Sequence, residues 1–166
     1  MKKLLFLSLL FVAVSVSAQT SKWGLSYDAE FIKVKYDLSA FGYSSGEESI
    51  TAHTVNLHYS ILSWASNFQI GPLVSLRTFS DQVDSYTDLL VGLDLGYNFS
   101  TNFALVLDSY YVFGNELNPI LLKPALEFGK RTAFVLGYTK YIYTNEDADL
   151  LGIEAAGPFV GLKYKF

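Results

Sequence analysis

The chain has no cysteine, so neither a disulfide framework nor a Cys-ligated metal site is open to it. Histidine occurs twice, at His53 and His58. With no thiolate to help, that is too few for the usual catalytic zinc site. After the first twenty residues no stretch stays apolar for the ~18 residues that mark a spanning helix, so any membrane crossing has to be made by strands. Charge is sparse, at 17% of residues, and acids outnumber bases by 16 to 12. An acidic balance of this kind argues against a nucleic-acid partner. Against these shortages, 51% of the 166 residues are hydrophobic, and 12 Tyr with 13 Phe favour strands over helices. The length suits one domain.

The first residues read as an export signal rather than as structure. Lys2 and Lys3 precede an apolar run from Leu4 to Val14, and Val16, Ser17 and Ala18 form a small-residue cleavage site before Gln19. The run is shorter than the ~20 residues a spanning helix needs. The expected division is therefore a signal peptide over 1–18 and a single domain over 19–166. Without Lys2 and Lys3 the chain keeps 10 basic and 16 acidic residues.

Period-two alternation dominates the remainder. It predicts eight strands, over 22–36, 49–62, 67–79, 86–99, 102–113, 118–129, 131–143 and 155–166. Most reach the ~9–11 residues that a tilted strand needs to cross a bilayer. In the first, the apolar phase slips after Phe31, as a β-bulge would make it do. The connections alternate in length, and every odd one is longer than its even neighbours, which places both ends of the domain on one side.

Alternation alone leaves open which face points outward, because a soluble lipocalin-like barrel has the same period with its apolar face inward. Three features favour an apolar exterior. The strand glycines (Gly24, Gly71, Gly92, Gly96, Gly129, Gly137 and Gly161) fall on the polar face, where a crowded interior would need them. That face also carries charges of both signs: Asp28, Glu30, His58, Arg77, Asp94, Asp108, Glu127, Lys163 and Lys165. Rings gather near the ends of the apolar rows, as in the aromatic girdles of membrane barrels. Trp23, Trp64, Tyr97, Phe99, Phe103, Phe128, Tyr164 and Phe166 mark one end, and Phe31, Phe79, Tyr86, Tyr111, Phe113 and Tyr138 the other.

With its signal-like start, eight alternating segments, alternating loop lengths and final "FVGLKYKF", the chain resembles the small outer-membrane β-barrels of the OmpA/OmpX type from Gram-negative bacteria. The resemblance implies an all-β fold: an eight-stranded antiparallel up-and-down transmembrane β-barrel in the bacterial outer membrane. It also implies that Leu162, Tyr164 and Phe166 carry the signal read by the barrel-assembly machinery. It implies no single activity.

The candidate chemistry lies in two places. The four longer connections hold Asp37, Glu47, Glu48, Asp81, Asp84, Glu116, Glu146, Asp147, Asp149 and Glu154, and no Lys or Arg. Such a rim is either simply solvated or attracts divalent cations or a basic partner. Asn145 to Asp149 lacks the glycine and closing glutamate of an EF-hand loop. Inside, Arg77, Asp94, Asp108, Glu127 and Lys163 are expected to form a buried ion-pair network, because buried charges must be paired. His58 and Ser60 share a face and resemble the His-x-Ser of outer-membrane lipid A deacylases, but Ile61 stands where an Asn usually follows. The expected protein is a non-enzymatic outer-membrane barrel serving membrane integrity, surface adhesion or contact with lipopolysaccharide or another cell. Its expected partners are outer-membrane lipids, lipopolysaccharide as a candidate among them, and the assembly machinery, with no cofactor, no metal and no nucleic acid. A lipid-modifying enzyme, a narrow channel and a soluble periplasmic lipid carrier remain the alternatives.

Overall fold

A computed structural model describes residues 22–37, 39, 44–62, 67–80, 85–113, 119–143 and 152–166. The signal-like segment 1–18 and Trp64 lie outside these residues. Eight strands follow in order: β1 Trp23–Tyr36, β2 Gly46–Tyr59, β3 Phe68–Ser80, β4 Ser85–Ser100, β5 Phe103–Phe113, β6 Ile120–Phe128, β7 Thr132–Ile142 and β8 Glu154–Lys165. Each pairs antiparallel with its neighbour in sequence, and β8 returns to β1, so the sheet is a closed barrel. Closure leaves no unpaired strand edge, the condition a sheet must meet to cross lipid. The lipocalin-like alternative falls at the next observation: the large apolar side chains point outward. Phe68, Phe99, Leu162 and Leu76 are each more than half exposed, while Glu30, Arg77 and Lys123 are fully buried. A soluble protein could not tolerate an apolar surface of that extent.

The register fixes the barrel's shape. The pairs run from Pro72 to Leu93, Ser109, Leu122, Lys140, Ala156, Lys33 and finally Ser49 on β2. One step on from the His58–Leu73 pair, Pro72 itself lies beside Tyr59. A full circuit thus climbs ten residues along β2. With ~3.3 Å per residue and ~4.8 Å between strands, eight strands then tilt by about 40°, the usual inclination of small barrels.

Two expectations are corrected. No bulge interrupts β1, whose pairing with β2 runs unbroken from Trp23 to Tyr36; among the described residues the register shifts in β4, between Asn98 and Ser100. The apolar phase changes because the surroundings change. Past Phe31 the strand rises out of the apolar band, so Lys33 and Lys35 face outward into water and Ile32 faces inward. Phe79 and Tyr86 likewise leave the expected outer girdle. Phe79 is buried on the inner face, with Tyr86 stacked on it at 4.7 Å. The opposite girdle stands, linked by ring contacts from Phe68 through Tyr97, Phe99 and Phe103 to Phe128, and by Trp23 on Tyr59. Gly129 serves the β6–β7 turn rather than the interior: its φ of 132° is open to glycine, and a Cβ there would strike Thr132.

Candidate functional site

The polar interior is built in layers. Midway up, Glu30 of β1 gathers donors from four other strands. Arg77 Nη2 of β3 lies 3.0 Å from both of its oxygens. Lys123 of β6 approaches at 3.3 Å, and the hydroxyls of Thr54 (β2) and Thr139 (β7) donate to it. Arg77 uses its whole fork, giving Nε to Thr54 at 3.1 Å and Nη1 to the Tyr141 hydroxyl at 2.7 Å. Lys123 also pairs with Asp28 and lies 4.2 Å from the centre of the Phe159 ring. Burying four charges is tolerable here because each has a partner of opposite sign and further hydrogen bonds.

Toward the short turns lies a second layer. Lys163 of β8 bridges Asp94 of β4 (3.1 Å) and Glu127 of β6 (2.6 Å), and Lys165 adds a second contact to Glu127 at 2.6 Å. His58 of β2 places Nδ1 3.0 Å from Asp94 and Nε2 3.0 Å from the Ser26 hydroxyl. Asn56 ties the layers together, donating to Ser26 and Asp28 and accepting from Ser75 and Tyr110.

The predicted network is therefore two networks. Asp94, Glu127 and Lys163 meet as expected, but Arg77 pairs with Glu30 in the layer above. Asp108 takes a hydrogen bond from Tyr110 at 3.3 Å on one oxygen, while its other oxygen has no partner. The hub, Glu30, stood on the polar face in the sequence, but nothing there marked it as the centre. Asn56, Thr54 and Thr139 share its parity and were equally silent.

Ser26, His58 and Asp94 stand in the order nucleophile, base and acid of a hydrolase triad. The His-x-Ser pair expected from the sequence does not form, and the three residues that do line up sit in a crowded, hydrogen-bonded interior. The Ser60 hydroxyl donates to the Leu62 carbonyl rather than to His58. Ser26 already accepts from Asn56, and the cavity beside it, about 10 Å³, holds one water rather than an acyl chain.

Toward the long connections the interior turns apolar. Ile32, Ala52, Phe79 and Ala155 form a buried cluster, with Val34, Ile50, Tyr141 and Tyr143 packed against it. This cluster puts apolar side chains where a channel would need a wet, polar lining. Purified protein in planar bilayers should show no steady single-channel conductance; regular steps in current would contradict that arrangement.

Among the described residues, part of the acidic rim is already paired or hydrogen-bonded. Glu47 and Glu48 belong to β2, and Glu47 pairs with Lys33 at 2.8 Å and approaches Lys35 at 3.9 Å. Asp37 accepts from the Ser39 amide and the Ser45 hydroxyl. The Ser39 and Ser45 hydrogen bonds hold its carboxyl below the ordinary range. Asp81, Asp84, Glu116, Glu146, Asp147 and Asp149 lie outside the described residues. Because Lys33 and Glu47 are exposed, water and salt screen their attraction. Lys33→Ala should leave the urea midpoint unchanged, and a clear drop would mean that the rim is more rigid than its exposure indicates.

The chain matches no family model and none of the curated proteins. Solved structures share its fold. A de novo designed transmembrane β-barrel has a TM-score of 0.56 at 10% identity, over 89% of this chain and 98% of the other. Ail, the attachment invasion locus protein of Yersinia pestis, gives 0.55 at 13% identity, over 89% and 100%. Neisserial surface protein A gives 0.53 at 14%, over 88% and 98%. The architecture is that of the small outer-membrane β-barrels, as the sequence resemblance implies. A designed barrel matches as well as the natural ones do, so the likeness reports the architecture and is silent on activity.

Proposed function

We propose that this chain is an exported, non-enzymatic protein of the bacterial outer membrane whose work is done at its outer surface, in adhesion or in contact with lipopolysaccharide. The observation that carries this reading is the filled interior. Ion-pair layers and an apolar cluster occupy the described interior, and the cavity beside His58 is only about 10 Å³, which favours a ligand that meets the barrel at the connections. Function on rigid scaffolds is commonly held there. The test replaces residues 38–43, 81–84, 114–118 and 144–151 with short turns and compares binding to lipopolysaccharide vesicles and to host cells. The trimmed barrel should still fold and should lose the binding. Full binding by the trimmed barrel would move the function into the barrel wall, and absence of binding by the intact protein would remove the surface role.

In the same reading, the outward-facing Leu162 and the Tyr164–Phe166 ring pair, whose centroids are 4.8 Å apart, form the surface offered to the assembly machinery. Phe166→Ala should lower the amount of folded barrel in outer membranes more than Lys130→Ala does. Lys165 is no neutral control, because it is buried against Glu127. Equal levels for the two variants would sink the assembly role.

A further inference from the structure

We propose that the lower interior layer is a binding site for one divalent transition ion of the zinc class, held by His58, Asp94 and Asp108. Three strands bring these residues together: β2 supplies His58, β4 Asp94 and β5 Asp108, with the two aspartates directly paired across the β4–β5 ladder. One ligand atom from each lies within 4.8 Å of the others, and all three residues are more than nine-tenths buried.

A second observation points to a ligand. Asp94 Oδ1 and Asp108 Oδ1 are buried oxygens without a hydrogen-bond partner. An unpaired buried carboxylate oxygen carries a full desolvation cost, so two of them beside an imidazole mark a place where something positive belongs. The local charges agree. Three carboxylates, Asp94, Asp108 and Glu127, share the layer with two ammonium groups, and both lysines are committed to Glu127 and Asp94. Asp108 is left without an ion-pair partner among the described residues.

The donor set selects the ion. One imidazole nitrogen with two carboxylate oxygens suits zinc, cobalt or manganese, whereas calcium and magnesium prefer oxygen throughout. The surroundings supply the supporting contacts. His58 Nδ1 stands 3.0 Å from Asp94 Oδ2; an ion between the two side chains would replace that contact, and Nε2–H would then donate to Ser26, the outer hydrogen bond that fixes a metal-bound imidazole. Lys163 stays on Asp94 Oδ2 and leaves Oδ1 to the ion. The cavity beside His58 and Asp108, which Lys163 also lines, is about 10 Å³ and gives a single ion the space of one water. The contacts that imitate a hydrolase triad thus become a metal ligand with its outer-shell support.

The experiment uses the full barrel, refolded in detergent, stripped with chelator and titrated with zinc chloride. The wild type should retain one equivalent of zinc after gel filtration. His58→Asn and Asp108→Asn each remove a ligand, so each should lose more than the roughly 10-fold that an outer supporting contact costs at the least, while His53→Asn, on the outer face, should bind as the wild type does. If a variant fails to fold, the imidazole signals of the wild type decide: zinc should move those of His58 and leave those of His53 in place. No zinc retained by the wild type, unchanged binding by both His58→Asn and Asp108→Asn, or a shift confined to His53 would overturn the site.

Discussion

Arg77→Ala should destabilise the barrel by about 3–5 kcal/mol, the usual cost of breaking a buried ion pair from one side. The loss is large because Glu30 stays behind. Its carboxylate would keep Lys123, Thr54 and Thr139 but lose the guanidinium that meets both of its oxygens. Arg77→Lys should recover little. A single ammonium cannot give Nε to Thr54, Nη1 to Tyr141 and Nη2 to Glu30 at once. The double variant Arg77→Met with Glu30→Leu removes both charges and replaces them with apolar volume, and it should stand closer to the wild type than Arg77→Ala does. Urea unfolding in lipid vesicles, followed by the gel shift between folded and boiled forms, reads all three. Arg77→Ala within ~1 kcal/mol of the wild type would show that the layer fills space without holding the strands together.

The alternation that makes this fold was legible because a barrel in lipid imposes opposite solvents on its two faces. Leu89, Val91, Leu93 and Leu95 could only be one row, and they are. Depth was harder to read. Phe79 and Tyr86 looked like girdle residues because they are aromatic and near strand ends. Parity with Arg77 and Leu90 puts both on the inner face, where Phe79 joins the buried cluster and the half-exposed Tyr86 stacks on it. Ile32 misled in the same way: above the membrane the wet and dry sides exchange, and a pattern rule that assumes fixed sides reads that exchange as a bulge. The pairing of charges was not legible at all. Glu30 and Arg77 are 47 residues apart, and their meeting depends on how ten residues of stagger are distributed around eight strands. Parity says that both point inward; register decides that they touch.

Leu93→Arg should be the most damaging single change on the outer face, costing about 2–4 kcal/mol in a bilayer. Leu93 points outward and is half exposed. It lies on β4 four residues from Tyr97 toward the short turns and six from Thr87 toward the long ones, so an arginine there has little water within reach. Thr87→Arg sits on the same row at the outer boundary, where the side chain can extend to headgroups and water. It should cost no more than about 1 kcal/mol. The contrast between two identical side chains on one strand measures depth rather than propensity or packing. It also tests the orientation of the whole barrel, because a protein with water outside would accept an arginine equally well at both positions. Guanidinium unfolding of vesicle-inserted protein provides the measurement. Equal costs at positions 93 and 87 would mean that the apolar band is not the surface that meets lipid.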